Sequence, residues 1–478
     1  MKHTRRVRKR DSTGVAPLAD PAHAETGDEV AEETLSPGFV RSVVDAVDRA
    51  DAKAARELVL PLRPADLAEL LELLRPDERQ HLVVILGDDL NPEVLSELDE
   101  SVRDHLIEML DPKDIAAALT EMDSDDAVYL LEDMDEDEQR LILDQLPASE
   151  RAALEQSLDY PEYSAGRLMQ RELVAVPPFW DVGQTIDHLR EADDLPEDFY
   201  EIFVVDAAYK PIGTVPLSRV MRTKRPVKIS EIMEGEQTLI PVTMDQEDVA
   251  LQFSKYDLIS AAVVDESGRL VGVITVDDIV EVISEEAAED IRLLAGVGEE
   301  SISDTVMQTS RSRIPWLLVN LVTAIVAASV IALFDATIEQ MVALAVLMPI
   351  VASMGGNAGT QTMTVTVRAL ATRDLVNFNV SRTIIREFWV GILNGLFFAA
   401  LLGVLVGLVF GNEWLGIVFG SAMMINLVVA SLTGILVPLG LEKLGADPAV
   451  SSAVFVTTTT DVVGFFAFLG LAAVVLFY

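Results

Sequence analysis

The chain has 478 residues with 78 acidic and 36 basic side chains, a formal net charge of −42, and no cysteine. This composition excludes disulfides, thiolate zinc sites and iron–sulfur clusters, and its field repels nucleic acid while concentrating cations, divalent ones above all. Only five basic and eight acidic residues lie beyond Arg313, so the 31 basic and 70 acidic residues before it carry a net −39. The five histidines (His3, His23, His81, His105, His188) also precede that point, and a metal handled here is a hard, oxygen-liking ion such as Mg2+, Ca2+ or Mn2+.

Residues 1–37 open with Lys2, Arg5, Arg6, Arg8, Lys9 and Arg10, but no apolar stretch follows, so they read as a disordered tail rather than a secretory signal. Residues 38–160 read as a helical domain, a loose superhelix with apolar residues at helical spacing (Leu67, Leu70, Leu71, Leu74). Helix starts are expected at Pro64-Ala65-Asp66, Asn91-Pro92-Glu93, Asp111-Pro112-Lys113, Asp123-Ser124-Asp125 and Ala148-Ser149-Glu150. Its acidic clusters, Asp123/Asp125/Asp126 and Glu132 to Glu138, read first as solvated faces.

From about Leu168 two similar strand–helix passes follow. The second has strands at Gln237–Val242, Ala261–Val264 and Leu270–Val276 around a helix at Asp248–Tyr256; the first repeats it with Phe203–Asp206 and Pro211–Val215. They resemble two cystathionine-β-synthase (CBS) domains, residues 161–228 and 229–284, modules that regulate what they are attached to and in some cases bind adenine nucleotides such as ATP. Asp277 stands where a ribose-binding acid is expected, and equally where a helix N-cap is expected.

An acidic helix follows from about Val276 to Val297 and leads, through a connecting segment at 285–313, towards five apolar stretches at 314–478. These are Ile314–Phe334, Met341–Val367, Phe388–Gly411, Trp414–Leu441 and Val450–Tyr478, each long enough to cross a lipid bilayer. Arginines and lysines gather before the first stretch, between the second and third and between the fourth and fifth, so the N-terminal region is expected in the cytoplasm and the C-terminus outside. Five spans are thin for enclosing a pathway, and a two-fold homodimer is the natural completion. Inside the five stretches the sole ionisable side chain short of the C-terminal tyrosine is Asp461, preceded by Thr457, Thr458, Thr459 and Thr460. A carboxylate at that depth costs roughly 3 kcal/mol on insertion scales, which points to a cation pathway; the alternative is a hydrogen bond that merely joins helices.

Four segments carry a resemblance over nearly everything after residue 37: Tyr163–Met169, Gly355-Gly356-Asn357-Ala358-Gly359-Thr360-Gln361, Gly445-Ala446-Asp447-Pro448-Ala449 and Thr458-Thr459-Thr460-Asp461-Val462-Val463-Gly464. In this order they resemble the MgtE family of bacterial magnesium channels. The resemblance implies a multidomain membrane protein of the bacterial plasma (inner) membrane: a cytoplasmic α-helical superhelix, α/β tandem CBS domains, a connecting plug helix and an all-α five-span transmembrane domain, assembled as a homodimer in lipid. It implies a non-enzymatic Mg2+ channel that mediates uptake and that cytoplasmic Mg2+ closes through the plug.

Carried over by position, Asp461 is the pore carboxylate, one from each subunit facing one hydrated ion. Two such charges about 6 Å apart repel by on the order of 3 kcal/mol at an effective dielectric of 20, which a divalent cation offsets. Gly355, Gly356, Asn357, Gly359, Thr457 and Thr460 are implied to line the pore; close helix packing is a second, compatible role for the glycines. The implied regulatory ligands are Asp245, Glu247, Asp257, Asp278, Glu281, Glu286, Glu289, Asp290 and Asp447, completed by Asp125 or Asp126. Ser451–Val456 offers only serine hydroxyls and backbone where some relatives place an Asn. A carrier exchanging Mg2+ for Na+ or H+ is the alternative; no nucleophile–base constellation or phosphate-binding loop supports an enzyme.

Overall fold

The computed structural model describes residues 35–478 apart from 133, 193–194, 197–198, 298–305, 374, 376, 451 and 478. Residues 1–34 of the expected tail, Asp133 of the acidic clusters and part of the connecting segment therefore lie outside the described residues, while Ser36 and Pro37 already cap and open the first helix. The chain forms two compact units, 1–109 and 110–478.

The first unit is helical: Pro37–Asp48, Ala52–Val59, Pro64–Leu73, Pro76–Leu86 and Glu100–Ile107. Ser36 Oγ accepts from the Phe39 amide (3.3 Å) and Asp51 Oδ1 from that of Ala54 (3.1 Å), so local side chains satisfy helix starts that would otherwise waste donors. Val43, Val59, Leu70, Leu71, Leu82 and Leu86 form its buried interior. Pro92 opens only a single 3-10 turn, Pro92–Val94, rather than an α-helix. The Asp99 amide is taken by Glu72 Oε1 at 2.8 Å, and the next helix starts after it.

The second unit begins with helices Pro112–Glu121, Ser124–Glu132 and Ala148–Leu158, at or beside the remaining expected starts, and a further helix, Glu136–Leu143, inside the acidic stretch that the sequence reads as a solvated face. Two three-stranded sheets follow, β1 (Ala175–Val176), β2 (Glu201–Val205) and β3 (Pro211–Pro216), then β4 (Leu239–Pro241), β5 (Ser260–Val264) and β6 (Leu270–Thr275). In each the first strand runs parallel to the second and the second antiparallel to the third. The internal repeat extends to atomic detail. Asp206 Oδ1 accepts from the amides of Ala208 and Lys210, and Asp265 Oδ1 from those of Ser267 and Arg269. Phe203 and Val205 of one sheet pack against Ala262, Leu270 and Val273 of the other.

The two lobes exchange their leading segments, which alters the boundaries expected from sequence. Ala165 and Met169, assigned to the first CBS domain, are core residues of the second lobe alongside Ile240, Val249 and Ile274. Ile229 and Met233, assigned to the second, pack with Val204, Val215 and Val220 in the first. The joints match: Gln170 and Val273 exchange backbone hydrogen bonds (2.8 and 2.9 Å), as do Thr214 and Glu234 (3.0 and 2.8 Å). Beside each joint stands a glycine, because a Cβ at Gly272 would lie 2.7 Å from the Gln170 carbonyl oxygen and one at Gly213 would lie 2.6 Å from that of Glu234.

The acidic connecting helix is Val276–Ala295, started by Thr275 with Asp278 and stopped by Gly296 in the left-handed region (φ 69°). Five helices are long and apolar enough to cross a membrane: Val306–Ala332, Ala343–Ala371, Val380–Phe410, Glu413–Lys443 and Ala453–Leu476. The first three are longer at their basic ends than hydropathy suggested, taking in Arg311, Arg313, Arg368, Arg382, Arg386 and Glu387, because backbone hydrogen bonding continues past the apolar core. The fourth helix is the most buried and packs against the second, third and fifth; the first packs mainly on the fifth. The first and third turn Leu317, Leu321, Ile325, Leu393, Phe397 and Val404 outwards.

Candidate ion pathway and its acidic face

Asp461 lies midway along the fifth membrane helix, partly exposed, and no hydrogen bond or ion pair reaches it among the described residues. It therefore does not join helices in this conformation. The four preceding threonines turn their hydroxyl donors onto their own helix: Thr457 to Ala453 O (2.8 Å), Thr458 to Val454 O (2.6 Å), Thr459 to Phe455 O (2.8 Å) and Thr460 to Thr457 O (2.9 Å). Such back-bonding hides polar hydrogens at membrane depth and leaves oxygen lone pairs for a cation or its waters.

The glycines of the second membrane helix divide by role. Gly355 and Gly359 are buried at crossings, as in the packing role the sequence also allowed. A Cβ at Gly359 would lie 2.5 Å from Val456 Cγ1, and one at Gly355 would run into the Asn426 amide. Gly356 meets only Thr457, 3.9 Å from where its Cβ would stand, while Asn357 and Thr360 are exposed. Gly356, Thr457 and Asp461 thus share one flank, Thr457 and Asp461 being four residues apart on their helix; Thr460 is fully buried.

At the end of the bundle that carries Asp447, Leu293 and Leu294 of the connecting helix pack on Met363, Val367, Ala449 and Val456. Asp447 Oδ1 accepts from the Ala449 amide at 2.7 Å and shapes the turn into the fifth helix. A chain of carboxylates runs from there. Asp290 is raised above the usual carboxylate range by burial and then by Asp447 and Glu286. Glu247 is pushed up to about 7, first by burial and then by Glu286, with Asp245 and Asp290 adding and Arg373 opposing. Glu286 itself accepts from Gln246 Nε2 at 2.8 Å.

A second acidic group sits at the start of the connecting helix. Asp278 accepts from Thr275 Oγ1 (2.8 Å) and is pushed up to about 6, mainly by burial, with Asp277 and Asp123 adding. Asp125, at the start of helix Ser124–Glu132, is pushed well above its usual range by burial and then by Asp278 and Asp126. The residue keeps partial exposure, yet its Oδ1 is out of solvent contact and has no hydrogen-bond partner. A desolvated carboxylate oxygen without a hydrogen-bond partner among the described residues, under the field of other carboxylates, fits a divalent cation.

Other predicted residues stand apart. Asp257 ends the helix that Asp245 begins, about 18 Å away along its axis, so the two do not share an ion. Glu281 is exposed on the connecting helix and Glu289 partly so. Asp277 is exposed in that helix's first turn, whose N-cap is Thr275. Among the described residues no three carboxylates or imidazoles converge into a ready-made metal cage. The acids are neighbours across surfaces rather than a closed ligand shell.

Residues 348–471 match the family model of the divalent cation transporter MgtE, 62–163 the MgtE intracellular N domain and 229–285 the CBS domain. The magnesium transporter MgtE of Thermus thermophilus is 36% identical over 334 residues, covering 68% of this chain and 73% of that protein. The chain belongs to the MgtE family. The Enterococcus faecalis magnesium transporter MgtE is 33% identical over 69% of this chain and 73% of its own length. A solved structure of the cytosolic domain of the Mg2+ channel MgtE in complex with ATP is 32% identical, with a TM-score of 0.47, over 51% of this chain and 99% of its own.

Within this MgtE-family bundle three features escaped sequence reasoning. Arg373, in the left-handed region (φ 54°) at the end of the second membrane helix, pairs with Asp248 at 2.8 Å and ties the second CBS lobe to that helix. Glu387, largely buried in the third membrane helix, pairs with Arg386 at 3.0 Å. Asn426 is wholly buried in the fourth. Only Asn426 had a signal in the sequence: an amide within the apolar stretch Trp414–Leu441.

Proposed function

We propose that this MgtE-family transporter is a Mg2+-selective channel for uptake across the bacterial inner membrane, closed from the cytoplasm by Mg2+ bound between acidic faces. The observation that carries this reading is the seat of Leu293 and Leu294 on the second and fifth membrane helices, with Asp290 beside Asp447 and Glu286 beside Glu247. Like charges that close repel one another, so a divalent cation between them holds the helix down, and its loss lets the helix lift. The buried, unpartnered Asp125 Oδ1, on a carboxylate that the charge of Asp278 raises, supports a second bridge of the same kind.

In the membrane, Asp461 holds hydrated Mg2+ through its water shell rather than stripping it, which suits rapid passage of an ion that dehydrates reluctantly. A homodimer sets two copies of Asp461 against one ion. The exposed apolar side chains Val280, Ile283 and Ile291 on the connecting helix, and the outward faces of the first and third membrane helices, are consistent with burial against a second copy and lipid. The N-terminus is cytoplasmic and the C-terminus outside. An adenine nucleotide such as ATP in the CBS pair, near the exposed Asp277, would tune the Mg2+ threshold and is tested by titrating nucleotide against Mg2+ sensitivity.

The deciding experiment is Mg2+ current across excised inside-out patches while cytoplasmic Mg2+ is stepped from roughly micromolar to about 10 mM. Current that falls as Mg2+ rises, and that at fixed cytoplasmic pH ignores Na+ and pH gradients imposed from the outer side, supports the gated channel. Flux that tracks either gradient makes the protein an exchanging carrier.

A further inference from the structure

Asn426 is a polar side chain with no exposure in the middle of an apolar membrane helix, where a leucine or methionine would pack at lower cost. Its Nδ2 donates to the Val351 carbonyl oxygen of the second membrane helix at 2.9 Å. Its Oδ1 is buried and has no hydrogen-bond partner among the described residues. Two helices have removed a side chain to admit this amide. A Cβ at Gly355 of the second helix would collide with it, and a Cβ at Gly464 of the fifth would lie 2.8 Å from Nδ2. Neither can be enlarged without moving a neighbour.

Gly464 lies three residues beyond Asp461, so the amide docks within one turn of the carboxylate. The glycine on the second helix that meets it, Gly355, is next to Gly356, which faces Thr457. The same side chain thus fastens both helices that flank the ion pathway, at the level of its only carboxylate. Ordinary apolar packing tolerates sliding along a helix, whereas a hydrogen bond into a notch accepts one register. This is the use for which a buried polar residue is best attested.

We propose that Asn426 is the positioning residue of the ion pathway: its amide keys the second, fourth and fifth membrane helices together and sets the register of Asp461 against Gly356. The inference rests on the pathway reading above, and its test does not depend on current alone. The chain has no cysteine, so Gly356→Cys with Thr457→Cys gives a clean crosslink across the keyed interface, within reach of a disulfide.

Oxidative crosslinking in membranes should proceed roughly five- to tenfold more slowly when Asn426→Leu is added, the factor an ordinary hydrogen bond supports. Asn426→Ser, which keeps a donor, should recover most of that rate. In the cysteine-free background Asn426→Leu should lower unitary Mg2+ conductance and raise Ca2+ permeability relative to Mg2+, with the cytoplasmic Mg2+ threshold unchanged. Gly464→Ala, which pushes on the amide from the other side, should shift selectivity the same way. Unaltered crosslinking and selectivity in both Asn426→Leu and Gly464→Ala would overturn the proposal and leave Asn426 a space-filler. If Asn426→Leu does not assemble, Asn426→Ser and Gly464→Ala decide alone. Failure of the pathway reading looks different: Asp461→Ala then conducts normally whatever Asn426 does.

Discussion

The two ends of the fifth membrane helix treat a carboxylate in opposite ways. Asp461 stands alone in an apolar bundle, reached by no hydrogen bond or ion pair among the described residues. Asp447, at the start of the same helix, adds to a crowd in which burial and then the charges of Asp447 and Glu286 raise Asp290, and burial and then Glu286 raise Glu247. A solitary charge can attract a passing cation and release it, whereas a crowd divided among a CBS lobe, the connecting helix and the bundle can be joined by a cation that stays. In the proposed function, that difference is the one between conduction and control.

Removing the solitary charge has the largest expected effect. Asp461→Ala and Asp461→Asn should each bring Mg2+ current to background with assembly and thermal stability kept, since no hydrogen bond or ion pair among the described residues is lost; full current in either would remove Asp461 from the pathway. Next comes the seat of the connecting helix. Leu293→Asp with Leu294→Asp puts two carboxylates against Met363, Val367, Ala449 and Val456, and the Mg2+ concentration that half-closes the channel should rise by at least about tenfold in inside-out patches.

The crowd itself should be sensitive to pH. Glu247 and Asp278 are raised in the folded protein to about 7 and about 6, so protonation favours the docked arrangement. That contribution is present at pH values below the ordinary range near 4 and is lost as pH rises through about 6 and 7. Mg2+ needs the ionised forms, so its closing potency should rise between about pH 6 and about pH 8, with proton uptake when Mg2+ is chelated. Asp125→Asn, which deletes one charge opposite Asp278, should weaken closing potency by a smaller factor, roughly threefold to tenfold, and flatten this pH profile. The smallest effect belongs to the exposed Arg373–Asp248 pair: Arg373→Ala should move the threshold by less than about fivefold, the range of a surface ion pair.

Where the sequence was read correctly, the signal was local. Most expected helix starts at Asp, Ser and Pro lie at or beside helix N-termini, although Pro64, Pro112 and Ala148 follow no side-chain cap, while Asn91, which does cap, opens only the 3-10 turn at Pro92. The two strand–helix passes share one turn chemistry at Asp206 and Asp265, a pattern visible in spacing alone. The candidate acids were found by position, but nothing local distinguishes Asp257 at the far end of its helix from Asp245 at the near end. Nor does composition separate Gly355 and Gly359, which pack, from Gly356, which meets only a threonine methyl.

Length, hydropathy and charge by themselves determined five membrane helices, one unaccompanied membrane carboxylate, a repeated α/β pair and an acidic helix between them. These follow from the cost of putting backbone and charge into hydrocarbon and from periodicities of two and 3.6 residues, all properties of contiguous chain. Only the tertiary structure decided that the CBS lobes exchange their leading segments, that Asp278 bears on the buried Asp125, that Leu293 and Leu294 seat on the bundle, and that one amide, Asn426, meets Val351, Gly355 and Gly464 on two other helices. Each of these is a contact between residues from tens to more than a hundred positions apart, and such contacts are chosen by packing and shared desolvation rather than by neighbours in sequence.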